Sequence, residues 1–198
     1  MMITPVLIGI TSAVSLFALW FQPAILEWGM LKPNRVLSKN TWYEVFTSGF
    51  LHGSITHLLV NMFVLLVFGM TVERNIGTQQ MLGLYLSGIL VTALPSLWRH
   101  SGNPSYATLG ASGAVESVLF MFIFMFPMQN IYIFFIPMGI PAWIFGILFL
   151  VYSVAASKKG GKINHEAHIA GSLWGLLYPI LFIPQSLDHL LTLLGYYK

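Results

Sequence analysis

Residues Leu51–Thr71 read "LHGSITHLLVNMFVLLVFGMT", and the medium around them decides the fold. The stretch holds no Asp, Glu, Lys or Arg. Its length is close to the ~20 residues that a helix rising about 1.5 Å per residue needs to cross ~30 Å of hydrocarbon. Similar apolar runs recur at about Ile3–Phe21, Met81–Trp98, Leu109–Phe126, Ile140–Ala156 and Ala167–Ile183. Of 198 residues, 57% are hydrophobic and only 8% charged, against roughly 25% charged in a soluble domain. In lipid every backbone polar group must be paired internally, and none of these runs alternates as a barrel strand does. The expected fold is therefore all-α and integral to the membrane, a bundle of six transmembrane helices. Residues 1–185 are read as one six-span core and residues 186–198 as a short tail, either an interfacial helix or a frayed end.

The connections narrow the reading further. Gln22–Gly49 holds Glu27, Lys32, Arg35, Lys39, Glu44 and two tryptophans, and reads as a folded element at the membrane interface. "IYIFFIPMGIP", Ile131–Pro141, is too short to span and too apolar for open water, so it is expected along the membrane surface. "SKKGGKINHE", Ser157–Glu166, is rich in glycine and lysine and is expected to move as a gate over His168. The nine Lys and Arg residues behind the net charge of +3 form no basic stripe, which argues against a nucleic-acid partner. With no cysteine, disulfides, thiolate metal sites and a cysteine nucleophile are excluded. The N-terminal run lacks a basic n-region and a cleavage site, and reads as a retained span. With alternating connections, one face carries Lys32, Arg35, Lys39, Arg99, Lys158, Lys159 and Lys162, and the other Arg74 and Lys198. A positive-inside count makes the first face cytoplasmic.

Polar residues inside spans are costly and therefore mark function. They gather at three places: His52, His57 and Asn61 in the second run, Ser112 and Glu116 in the fourth, and His165, Glu166 and His168 at the start of the sixth. His57 and Asn61 lie one helical turn apart and share a face. Ala167, Gly171 and Gly175 form a small-residue stripe, and Gly113 with Ser117 offers a matching one. If those stripes pack, Ser112 and His168 meet at one depth. Ser112 is then a nucleophile at a helix start with His168 as its base, and free backbone N–H groups, His57 and Asn61 can serve a developing oxyanion. Metal is disfavoured, because the histidines of "HEAH" stand three apart where the zinc-protease helix needs four. Helix-gluing hydrogen bonds are the duller alternative.

At these residues the chain resembles the rhomboid family of intramembrane serine proteases. Gly110, Ala111, Ser112 and Gly113 stand as its G-x-S-G motif; Ala167, His168 and Gly171 stand as A-H-x-x-G; His52, His57 and Asn61 reproduce its H-x-x-x-x-H-x-x-x-N spacing. Glu73 and Gly77 resemble its structural acidic residue and glycine, and Trp42 its first-connection tryptophan, here followed by Tyr43 where an arginine is common. The resemblance implies a serine endopeptidase with a Ser112/His168 dyad and an oxyanion hole of the Ser112 N–H, His57 and Asn61. His52, Gly110, Gly113, Glu116 and Gly171 would support them. It implies no metal or organic cofactor, and as partners the lipid bilayer and a substrate with a transmembrane helix. It also implies a bacterial inner membrane with the site facing the extracytoplasmic side, against the charge count. Glu116 departs from the aromatic residue common four after the serine; it either hydrogen-bonds and orients His168 or is a protonated or water-bonded residue in a wet cavity. The rival reading is a proteolytically inactive rhomboid-like protein that binds transmembrane helices. Such relatives commonly lack a dyad member, and both members are present here.

Overall fold

The computed structural model describes residues 2–132, 138–157 and 164–193. The described residues are mostly helical, 77%. Its first helix, α1 (Ile3–Trp20), buries the stripe Thr4, Leu7, Thr11, Ser15 and Ala18, the spacing of one helix face. Three short helices follow, α2 (Ala24–Gly29), α3 (Pro33–Lys39) and α4 (Tyr43–Thr47). They make the expected folded first connection around the fully buried Glu44. Arg35 Nε donates to Glu44 Oε1 at 2.6 Å and the Lys32 N–H to Oε2 at 2.9 Å. Trp28 stacks on Tyr43 with ring centres 4.7 Å apart. Leu31 and Thr108 exchange two backbone hydrogen bonds of 2.9 and 3.0 Å, so this element is tied to the segment that leads into Ser112.

The next helical run, Ile55–Arg99, is 45 residues long. It comprises α5 (Ile55–Val64), a π turn at Leu65–Gly69 and α6 (Met70–Arg99). The charged "VERNIG" stretch reads as a connection in the sequence, and two helices do meet there, across a kink at Gly77 with φ 82° and ψ 161°. Glu73 explains why a charge sits inside a helix there. Its carboxylate accepts the Ile3 N–H at 2.5 Å, the Thr4 N–H at 2.8 Å and the Thr78 hydroxyl at 2.9 Å, satisfying donors that the first turn of α1 leaves without helical partners.

The remaining helices are α7 (Ser112–Met125), α8 (Ala142–Ser157), α9 (His165–Phe182) and α10 (Ser186–Leu193). A two-residue antiparallel ladder, β1 (Asn130–Ile131) with β2 (Ile140–Pro141), precedes α8. The centre of the segment expected along the membrane surface, 133–137, and most of the expected gate, 158–163, lie outside the described residues. By length and composition, α1 and Ile55–Arg99 are candidate spans, and a third counts if α9 and the helix after it, bent by 110°, are one. α7 and α8 are shorter apolar helices.

α7 is the centre of the molecule, buried along Gly113–Val115 and Ser117–Phe124. α9 lies parallel to it at backbone contact. A Cβ on Gly171 would collide with the Gly113 carbonyl oxygen, and one on Gly175 with that of Ser117. The small-residue stripes therefore meet as the spacing predicts. Gly175→Ala forces the helices apart and is expected to lower stability by about 1–3 kcal/mol. Gly9→Ala, whose new methyl meets nothing within 4 Å, should be neutral; thermal unfolding of both variants in detergent checks the pair.

Candidate active site

Ser112 opens α7 after a turn that requires glycine. Gly110 has φ 127°, and a Cβ there would lie 2.5 Å from Cε1 of His57. Its N–H donates to the Ser48 carbonyl at 2.9 Å. No side chain caps α7, so the first N–H groups of the helix, that of Ser112 among them, have no helical acceptor. His168 sits in the first turn of α9, and its Nε2 lies 2.9 Å from Ser112 Oγ. That is the distance for proton transfer between a hydroxyl and a neutral imidazole.

Two residues that sequence reasoning passed over hold His168. Asn164 caps α9, accepting the Ala167 N–H at 3.1 Å while its amide nitrogen donates to Ser96 Oγ at 2.9 Å. Its carbonyl takes the His168 N–H at 3.3 Å. Phe149 of α8 stacks on the imidazole at 6.2 Å and 19°. An asparagine three residues before Ala167 is a readable cap signal. Phe149 has no signal, being one of two phenylalanines in an apolar helix.

His52 lies behind the cavity, fully buried. Its Nε2 accepts the Ala111 N–H at 3.3 Å, so in the neutral ring the proton is on Nδ1, 3.0 Å from Ser15 Oγ. Ser15 in turn donates to the Phe50 carbonyl at 3.0 Å. The chain of bonds fixes the residue before Ser112 to α1, and Ser15 too was passed over.

His57, Asn61, Ser112, Glu116 and His168 all line one cavity of about 610 Å³. Asn61 is buried and uses one amide hydrogen on the His57 carbonyl at 2.9 Å. Gly110 and Gly113 also line the cavity, whereas Gly171 lies in the seam between α7 and α9. Of the two readings of Glu116, the orienting one is corrected. Among the described residues no hydrogen bond joins Glu116 to His168, and Glu116 Oε2 is buried without a partner. The position four residues after Ser112 gives the shared face, but Phe149 flanks the imidazole. Beyond the cavity mouth, Arg99 pairs with Glu166.

A family profile described as Rhomboid domain matches residues 39–185. The chain belongs to the rhomboid family. Rhomboid protein 1, mitochondrial, of Saccharomyces cerevisiae is 31% identical over 183 residues, 87% of this chain and 51% of that protein. RHOMBOID-like protein 12, mitochondrial, of Arabidopsis thaliana is 33% identical over 147 residues, 66% of this chain and 43% of its own. The human presenilin-associated rhomboid-like protein, mitochondrial, is 29% identical over 180 residues, 86% and 46% respectively. This rhomboid chain thus spans about half the length of the relatives it matches. All three names are mitochondrial, a finding that overturns the expectation of a bacterial inner membrane with an extracytoplasmic site.

Removing the His52 ring strands the buried Ala111 N–H. His52→Ala should lower stability by about 1–3 kcal/mol, and Ser15→Ala by less, because it leaves that acceptor in place. Thermal unfolding of the two variants, measured side by side, checks the order.

Proposed function

We propose that this rhomboid is an intramembrane serine endopeptidase. The observation that carries the reading is the 2.9 Å separation of Ser112 Oγ and His168 Nε2 at the open end of α7, inside a cavity of about 610 Å³. Ser112 Oγ attacks the scissile carbonyl while Nε2 takes its proton. Nε2 then gives that proton to the leaving amine, and the acyl-enzyme forms. Water, deprotonated by the same nitrogen, attacks the ester and returns Ser112. The oxyanion is met by the Ser112 N–H at the helix start, by the His57 ring and by the unused amide hydrogen of Asn61. His52 and Gly110 hold the turn before Ser112, and Gly113 and Gly171 let the two helices touch.

The substrate in this reading is a protein with a transmembrane helix, and the medium is the bilayer. Six spans follow if residues 55–76 and 78–99 count separately on either side of Gly77 and the shorter apolar helices count as well. α7, with 14 residues, is only about 21 Å long. It falls short of ~30 Å of hydrocarbon, so Ser112 begins below the membrane surface, in reach of a helix that unwinds into the cavity.

A fluorophosphonate serine probe tests the dyad on detergent-solubilised protein. The unmutated chain should label, and Ser112→Ala and His168→Ala should not. A folded chain that never labels would overturn the reading. In a cleavage assay on a membrane-spanning substrate, Asn61→Ala should lower turnover about a hundredfold or more.

A further inference from the structure

Glu116 is out of place for packing. It stands four residues after Ser112 in a helix that continues, after Ser117, as "VLFMFIFM" to its end. A Cβ built on Gly171, three residues after His168, would lie 3.1 Å from the Glu116 Cβ. The carboxyl thus branches from the α7–α9 seam one turn deeper than both dyad members, and it lines the same cavity. Its Oε2 is buried with no hydrogen-bond partner. The ion pairs among the described residues join Lys32 and Arg35 to Glu27, Arg35 to Glu44, and Arg99 and His100 to Glu166; none reaches Glu116. A buried polar atom without a partner lowers stability, whereas a leucine would fill the same space at no such cost. Residues that break the local rule in this way mark function.

The surroundings indicate what the carboxyl meets. Val60, Val64, Leu119 and Phe145 also line the cavity, beside polar residues such as Asn61 and Thr92, so the space that Glu116 shares has apolar wall as well as polar groups. A long side chain with a methylene stem and a cationic tip fits that profile, its stem along the apolar wall and its head on the carboxylate. We propose that Glu116 is a specificity residue that receives a lysine or arginine side chain of the substrate segment bound at Ser112. The proposal rests on the reading of the cavity as a peptide-binding site. The basic residue then belongs within one position of the bond that Ser112 attacks, because Glu116 is one helical turn away from that hydroxyl.

The test separates binding from catalysis. Fluorescent transmembrane peptides of leucine and alanine, carrying a single lysine, glutamine or norleucine stepped through the central segment, are titrated against the full chain with Ser112→Ala in detergent micelles. Anisotropy reads the affinity. At one position or two adjacent ones, the lysine peptide should bind about tenfold tighter than norleucine or more. Glutamine should show no such gain, and Glu116→Gln should erase it. Equal binding of the three peptides at every position overturns the proposal. So does a gain shared by glutamine, or one that survives Glu116→Gln. Fluorophosphonate labelling of the unmutated chain is read separately. Labelling without lysine preference defeats this proposal alone, and lysine preference without labelling defeats the protease reading alone.

Discussion

The site depends on the backbone contact between α7 and α9. Gly171 packs on the carbonyl of Gly113 and Gly175 on that of Ser117, so the two helices run parallel and advance in step, four residues against four. In lipid there is little hydrophobic drive between helices, and close approach through small residues is what brings them together. Once that register is set, Ser112, one residue before Gly113, and His168, three before Gly171, emerge at the same level. The 2.9 Å between their side chains follows from helix packing. No loop has to carry either residue to the other.

A parallel pair fixes depth but leaves each helix free to fray at the end where Ser112 and His168 sit. Polar links from neighbouring elements hold those ends. His52 joins the Ala111 N–H to Ser15 of α1, and Asn164 joins the start of α9 to Ser96 of α6. Glu73 closes the far end of α1. Each link satisfies a backbone donor or acceptor that apolar surroundings would leave unpaired, so local folding and the placement of the dyad are served by the same bonds. The first connection adds to this through the Leu31–Thr108 exchange, which holds the approach to Gly110 from the other side.

Much of this was legible because polar residues stand out in apolar runs. His57, Asn61, Ser112 and His168 declare themselves by type, and helical spacing assigns their faces. The glycine stripes were readable for the same reason, since the spacing of small residues says where backbones can touch. Partners across helices were not readable. Nothing in the sequence aims Ser15 at His52 or Phe149 at His168, because an apolar helix offers many equivalent serines and phenylalanines and only the packing selects one. Charge marked the break at "VERNIG", where the chain kinks at Gly77, but not that the Glu73 carboxylate caps another helix. Glu116 shows the limit within one residue: spacing gives its face, and the direction of its carboxyl comes from the neighbours.

The same limit bears on how His168 is oriented. In a serine triad a buried carboxylate holds the imidazole and offsets the charge it gains. Within an apolar bundle such a carboxylate would have to be desolvated and kept ionised beside the ring, and burying an unpaired charge is among the largest penalties a fold can incur. Here the ring is held by the face of Phe149 and by the Asn164 cap on its helix, contacts that fix its plane without adding a charge. The carboxyl of Glu116, in the same cavity, is spared from that duty. The division is a physical one: aromatic packing orients the imidazole, the backbone N–H groups at the start of α7 are left open, and the acidic residue remains uncommitted at the depth of the cavity.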